Sequence, residues 1–176
     1  MAFLKRVLIT IMVLMVVVLG IGFMLPAEFK VERQIDIDAS PAQVYNHIAD
    51  LRQWRNWGVW YQRDLAMQVS YQGAESGPGM KALWQSKQEG NGEMTVIAAD
   101  QNKRLVYTLY FADFDMGSTG EMKLIENDGK TTVLWQDYGD VGNNPLNHYF
   151  VLMMDDFVGP DFETSLLNLK TLVESE

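Results

Sequence analysis

Residues 37–60 read IDASPAQVYNHIADLRQWRNWGVW, and their chemistry decides what kind of domain surrounds them. Ser40 followed by Pro41 is a helix start. The serine hydroxyl can accept an otherwise orphaned N–H, and proline in the first turn gives up an N–H that has no intrahelical partner there. Val44, Tyr45, Ile48 and Leu51 then recur at helical spacing, which predicts a helix from Pro41 with one buried face. Beyond Asp50, Trp54, Trp57, Trp60 and Tyr61 repeat that spacing around Gly58, predicting a second short helix broken at the glycine. Three of the five tryptophans fall here. Such a cluster either joins helix to sheet in the core, or in part lines a pocket mouth or dips into a membrane interface, where amphipathic rings are favoured.

Directly upstream, Val31, Arg33, Ile35 and Ile37 alternate with Glu32, Gln34, Asp36 and Asp38, the period of a strand with one wet face. Downstream, turn-forming stretches (GAESGPG, EGNG, DQNK, DFDMG, NDG) separate predicted strands near 66–72, 79–87, 93–99, 103–112, 117–126 and 130–138. Asp113 and Asp115 read as turn carboxylates, and Asp128-Gly129 suits the two positive backbone angles of a type I′ hairpin. From Pro145 to Glu176 helical periodicity returns, with Gly159-Pro160 expected to kink or restart the helix.

Side chains two apart on a strand share a face. Setting Trp84 and Trp135 inward also turns inward Met80, Ala82, Met94, Val96, Ala98, Leu105, Tyr107, Leu109, Phe111, Met122, Leu124, Thr131 and Val133. This apolar, aromatic and Met-rich surface would lie opposite Met153, Phe157 and Phe162 of the last helix. It reads either as a filled core or as the wall of a cavity, where methionine repacks easily around apolar ligands.

The N-terminal flank has a different solvent. Val7–Leu25 (VLITIMVLMVVVLGIGFML) carries no charge and only Thr10 as a hydroxyl; as a helix it would span roughly 28 Å, against a hydrocarbon core of about 30 Å. A core helix would show a polar stripe, and this segment is apolar all round. A signal peptide would have a shorter apolar region and a small-x-small cleavage site, whereas Leu25 stands two positions before Ala27. The expectation is an uncleaved anchor: residues 1–6 cytoplasmic, 7–25 transmembrane, 26–30 linker and 31–176 the soluble domain. Lys5 and Arg6 directly before the run place the N-terminus in the cytoplasm by the positive-inside rule, so the domain would face the periplasm or exterior of the inner membrane.

One strand, two helices, six further antiparallel strands and a long C-terminal helix make an α+β domain. The stretch quoted first, with GPGMKALWQS, GEMTVIAAD, GKTTVLWQDYGD and DFETSLLNLKTLVE, resembles the polyketide cyclase/dehydrase-like family of the START and birch-pollen-allergen superfamily over residues 29–175. The resemblance implies a helix-grip fold, a curved antiparallel sheet of about seven strands around the long C-terminal helix, with a cavity between them. Its motifs are structural and carry no catalytic signature. In that cavity the expected ligand-binding residues are Trp60, Trp84, Met94, Tyr107, Leu109, Phe111, Met122, Trp135, Met153 and Phe157.

Composition narrows the chemistry. Of 176 residues 48% are hydrophobic, one ordinary domain with a little extra, and 14 basic against 23 acidic residues give a net charge of −9, the wrong sign for nucleic acid. Without cysteine there is no disulfide, thiol nucleophile or thiolate metal site. No metal-ligand spacing, no cofactor motif and no phosphate loop appears. The two histidines stand outside any catalytic frame; His47 is expected at the surface, while His148 at the start of the last helix could reach the cavity mouth as acid or base. Asp155 and Asp156 are the other candidates, since one of two adjacent helical carboxylates can turn inward. The expected function is a membrane-anchored binding protein for a hydrophobic small molecule or lipid. The alternatives are a cyclase, dehydratase or hydrolase on the same fold, and a ligand-free interaction module.

Overall fold

The structure, a computed structural model, describes residues 2–176. Helix α1 covers Ala2–Gly22, so it starts before the charge-free run and stops short of its end. It stops where it meets the domain: a Cβ on Gly22 would lie 2.4 Å from the carbonyl oxygen of Pro145. Among the described residues it is the one helix long and apolar enough to cross a membrane. After Phe23–Ala27, strand β1 (Glu28–Ile37) begins inside the stretch expected as linker.

Helix α2 (Pro41–Ala49) carries the capping box that its sequence announces: the Ser40 hydroxyl accepts from the Gln43 N–H, and the Gln43 side chain accepts from the Ser40 N–H. A 3₁₀ turn (Gln53–Asn56) and helix α3 (Val59–Arg63) follow, separated around Gly58. Strands β2 (Gln68–Gly73), β3 (Met80–Gln85), β4 (Asn91–Asp100), β5 (Arg104–Phe111), β6 (Met116–Asn127) and β7 (Lys130–Asp140) then form a meander. Asp128 and Gly129 both have positive φ at the β6–β7 hairpin. All neighbours are antiparallel, in the order β1-β7-β6-β5-β4-β3-β2, so the first strand closes onto the last. A bulge between Val96 and Ala98 of β4 resets the alternation, and Ala99 packs on the core where Ala98 was expected.

Helix α4 (His148–Val151) and helix α5 (Met154–Glu174) complete the chain. The break falls between these two helices, and α5 runs through Pro160. Gly159 has a packing role: Arg33 of β1 reaches over it to pair with Asp155 and Glu163, and a Cβ at Gly159 would lie 2.0 Å from the guanidinium.

The space between sheet and α5 divides along the strands. Toward the β6–β7 hairpin, Ile37, Leu105, Met122, Leu124 and Val133 pack against Leu166, Leu169 and Val173 of α5 as a filled core. Toward the other end, where β1 begins and β7 ends, the sheet stays open. Two polar contacts hold α1 at this open end, and a third fixes the His148 ring that makes one of them. His148 Nδ1 lies 2.8 Å from the Gly22 carbonyl oxygen, its Nε2 lies 2.9 Å from that of Gly142, and the Tyr149 hydroxyl donates to the Val18 carbonyl at 2.7 Å.

Candidate functional site

The open end holds a cavity of about 350 Å³ between the sheet, α3 and the first half of α5. Strand register explains why space remains. Tyr107, Gly120 and Asp137 stand in one row across β5, β6 and β7. The Tyr107 ring lies flat over Gly120, where a Cβ would come within 2.0 Å of it. Its hydroxyl therefore reaches Trp135, whose indole N–H donates to it at 2.7 Å. Trp84 lies over Gly92 in the same way. Glycine opposite an aromatic thus lays two rings along the sheet instead of letting them fill the space above it.

Aromatic rings make the floor and one wall. Phe162 of α5 stacks on Trp135 at 3.9 Å with planes 6° apart, and Trp54 meets both Tyr107 and Trp135 edge-on. The tryptophan cluster therefore divides: Trp54 and Trp57 are buried, their indoles donating to the carbonyls of Ile48 and His47, while Trp60 is partly exposed on the cavity wall. At the rim, Arg63 of α3 binds Asp161 of α5 and Glu89 of the β3–β4 loop through paired hydrogen bonds of 2.6–2.9 Å. That double clamp ties helix, loop and grip helix together beside the opening.

One polar side chain breaks the apolar interior. Asp137 is 5% exposed and lines the cavity, and its Oδ2 has no hydrogen-bond partner. Burial pushes its carboxyl from an ordinary 3.8 up to about 7, and the nearby Ser118 hydroxyl offsets only part of this. Burial likewise drives the Tyr107 phenol well above its usual value, with the Asp137 charge adding to the effect. Asp137 is therefore the buried acid/base-capable group of the cavity, and it stands outside the residues expected from the sequence. Strand alternation would have found it: Asp137 is the next inward position after Thr131, Val133 and Trp135.

The expected residues separate cleanly. Trp60, Trp84, Met94, Tyr107, Leu109, Phe111 and Trp135 line the cavity. Met122 does not; it lies farther along β6 in the filled half, fully buried. Met153 and Phe157 also lie outside, exposed on the outer side of the grip helix, whose Met154 and Val158 turn inward instead. None of the catalytic candidates reaches the cavity. His148 is buried against α1, Asp155 is turned outward by Arg33, and Asp156 is exposed. His47, expected at the surface, is buried, with Nε2 3.2 Å from Glu176 near the chain's end. No cluster of metal-ligating side chains occurs among the described residues.

A curved seven-stranded antiparallel sheet gripping a C-terminal helix, with an apolar cavity between them, defines a helix-grip protein. Residues 28–174 match the family described as polyketide cyclase / dehydrase and lipid transport, and the chain belongs to that family. Among solved structures, the Aha1 dimer from Colwellia psychrerythraea is similar at 17% identity, with 82% of this chain and 96% of that one covered and a TM-score of 0.59. A protein from Thermobifida fusca matches at 17% identity, 82% and 92% coverage and a TM-score of 0.63. Ara h 8.0201 matches at 14% identity, 85% and 99% coverage and a TM-score of 0.54. At such identities the likeness speaks to fold alone. No curated protein matches the sequence.

Proposed function

We propose that this chain is a membrane-anchored binding protein that holds a hydrophobic small molecule or lipid in the cavity between sheet and grip helix. The observation that carries this reading is the cavity itself: about 350 Å³, walled by aromatic and methionine side chains, with a single buried carboxyl inside. Apolar burial at about 25 cal/mol per Å² would supply the affinity, and the polar group the orientation. A ligand-free module would have no reason to keep such space, since unfilled volume costs stability.

The anchored placement is supported by α1 and by its bonds to the domain. The open end of the sheet is the end at which α1 enters, and Phe114, Phe150, Met153 and Phe157 are exposed on that side. In this reading α1 spans the inner membrane with Lys5 and Arg6 in the cytoplasm, and the cavity mouth outside, close to the lipid surface.

A second reading rests on Asp137. A carboxyl poised near neutral pH in an apolar enclosure suits general acid–base chemistry of the cyclase or dehydratase kind.

Native mass spectrometry of the full chain purified from its own membrane tests both readings. The binding reading expects a co-purifying apolar compound that is lost in Leu109→Trp, which fills the cavity. Absence of any bound compound, with no uptake of a hydrophobic dye, would overturn it. A compound altered by the wild type and left unaltered by Asp137→Asn would favour the enzyme.

A further inference from the structure

The charges on the cavity wall have a sign. Four ionisable acid or guanidinium groups face the space: Asp137 from β7, Asp161 from α5, Glu89 from the β3–β4 loop and Arg63 from α3. Arg63 is the one cation among them, and both of its partners are acids of the same wall, so its hydrogen-bonding fork is already occupied. No cation within the cavity remains to meet Asp137. Its Oδ2 is an acceptor inside an apolar chamber with nothing donating to it, which is a costly arrangement unless something that enters the chamber supplies the donor.

The surroundings of that oxygen fit one kind of donor. Tyr107 lies in the same row as Asp137, with only Gly120 between them, and Trp135 stands two residues before it on the same face. A buried carboxylate oxygen with no donor and an acidic wall both favour positive charge and disfavour negative charge.

We propose that the cavity selects an apolar amine, its ammonium group donating to Asp137 beside the Tyr107 and Trp135 rings and its hydrocarbon part filling the space under the grip helix. This rests on the cavity-binding reading and narrows its ligand class. It places apolar carboxylates, fatty acids included, at the unfavourable end, since each would bring a second anion to a wall that has no free cation. An apolar alcohol falls between, because it can donate to Asp137 without an opposite charge.

The test is competition among n-decylamine, n-decanol and decanoate for the full chain in non-ionic detergent, read as relative occupancy by native mass spectrometry at pH 8 and pH 5.5. The amine should exceed the alcohol by about tenfold at pH 8, the difference between a charge-assisted and a neutral hydrogen bond, and decanoate should bind least. At pH 5.5, where Asp137 is protonated, the margin should shrink. Asp137→Asn should erase the pH 8 preference while retaining decanol, and Asp137→Ser serves if the asparagine variant misfolds. The pH dependence of the wild type is a further measure that needs no variant. Equal occupancy by all three, or a preference for decanoate, overturns the amine assignment and leaves the cavity-binding reading standing. Binding of none of the three overturns both.

Discussion

The ring of His148 sits between the carbonyl oxygens of Gly22 and Gly142, 2.8 and 2.9 Å from its two nitrogens, and so joins the last turn of α1 to the loop that ends the sheet. Both partners are backbone carbonyls of segments far apart in the chain, so this one side chain cross-links helix and loop. His148→Ala should therefore loosen helix from domain: spin labels on α1 and on β7 should give a broadened distance distribution, with occupancy of the cavity unchanged. Gly22→Val should do the same by collision with Pro145.

Gly120 and Tyr107 form a second dependent pair. Adding a methyl group at Gly120→Ala must displace the Tyr107 ring and break its bond to Trp135, leaving a buried indole N–H unpaired. A loss of ~2 kcal/mol in domain stability is expected from the unpaired donor and the shifted ring together. Tyr107→Phe, which removes only the hydroxyl, should cost about 1 kcal/mol. Thermal unfolding of the two variants in parallel checks the order.

Asp137 makes stability depend on pH. Its carboxyl is raised from 3.8 in the unfolded chain to about 7, so the folded state holds this proton more tightly. The corresponding stability is fully present below about pH 4 and is lost as pH rises through about 7. Asp137→Asn stays neutral throughout, so its unfolding temperature should exceed that of the wild type at pH 8 and approach it at pH 5. The expected gap at pH 8 is on the order of 3 kcal/mol.

Arg63 should govern exchange more than affinity. It ties α3, α5 and the β3–β4 loop together at the rim, and its side chain remains 43% exposed. Arg63→Met should raise the dissociation rate of a cavity-bound dye several-fold in stopped-flow measurements, with little change in unfolding temperature. An unchanged rate would show that the clamp does not hold the mouth.

The strands were readable because polar and apolar residues alternate along them, and the first helix because Ser40 and Pro41 leave little choice of start. The site was less readable. Met122 and Leu109 share the same alternation, and only their position along the strand places one in the filled half and the other on the cavity wall. Asp137 lies inside the strand expected over 130–138 and on its inward face, but a carboxylate there does not suggest a cavity wall, because charge ordinarily belongs to the wet face of a strand. Arg63 finds its partners 26 and 98 residues away, a distance over which sequence spacing says nothing. His148 was expected near a cavity because its helix is; the docking of α1, which has no local signature, takes its ring elsewhere.

That docking fixes the range of the domain. Only Phe23 to Ala27 separate α1 from β1, and His148 and Tyr149 bridge this connection. For a chain whose first helix lies in a bilayer, such a joint allows lateral diffusion and rotation about the membrane normal, but no excursion into the surrounding water. In the anchored reading proposed above, the cavity mouth would stay at one height above one leaflet. Cargo taken up there would be handed to a neighbour in the same membrane, and delivery to a second membrane would require a different, freely diffusing carrier.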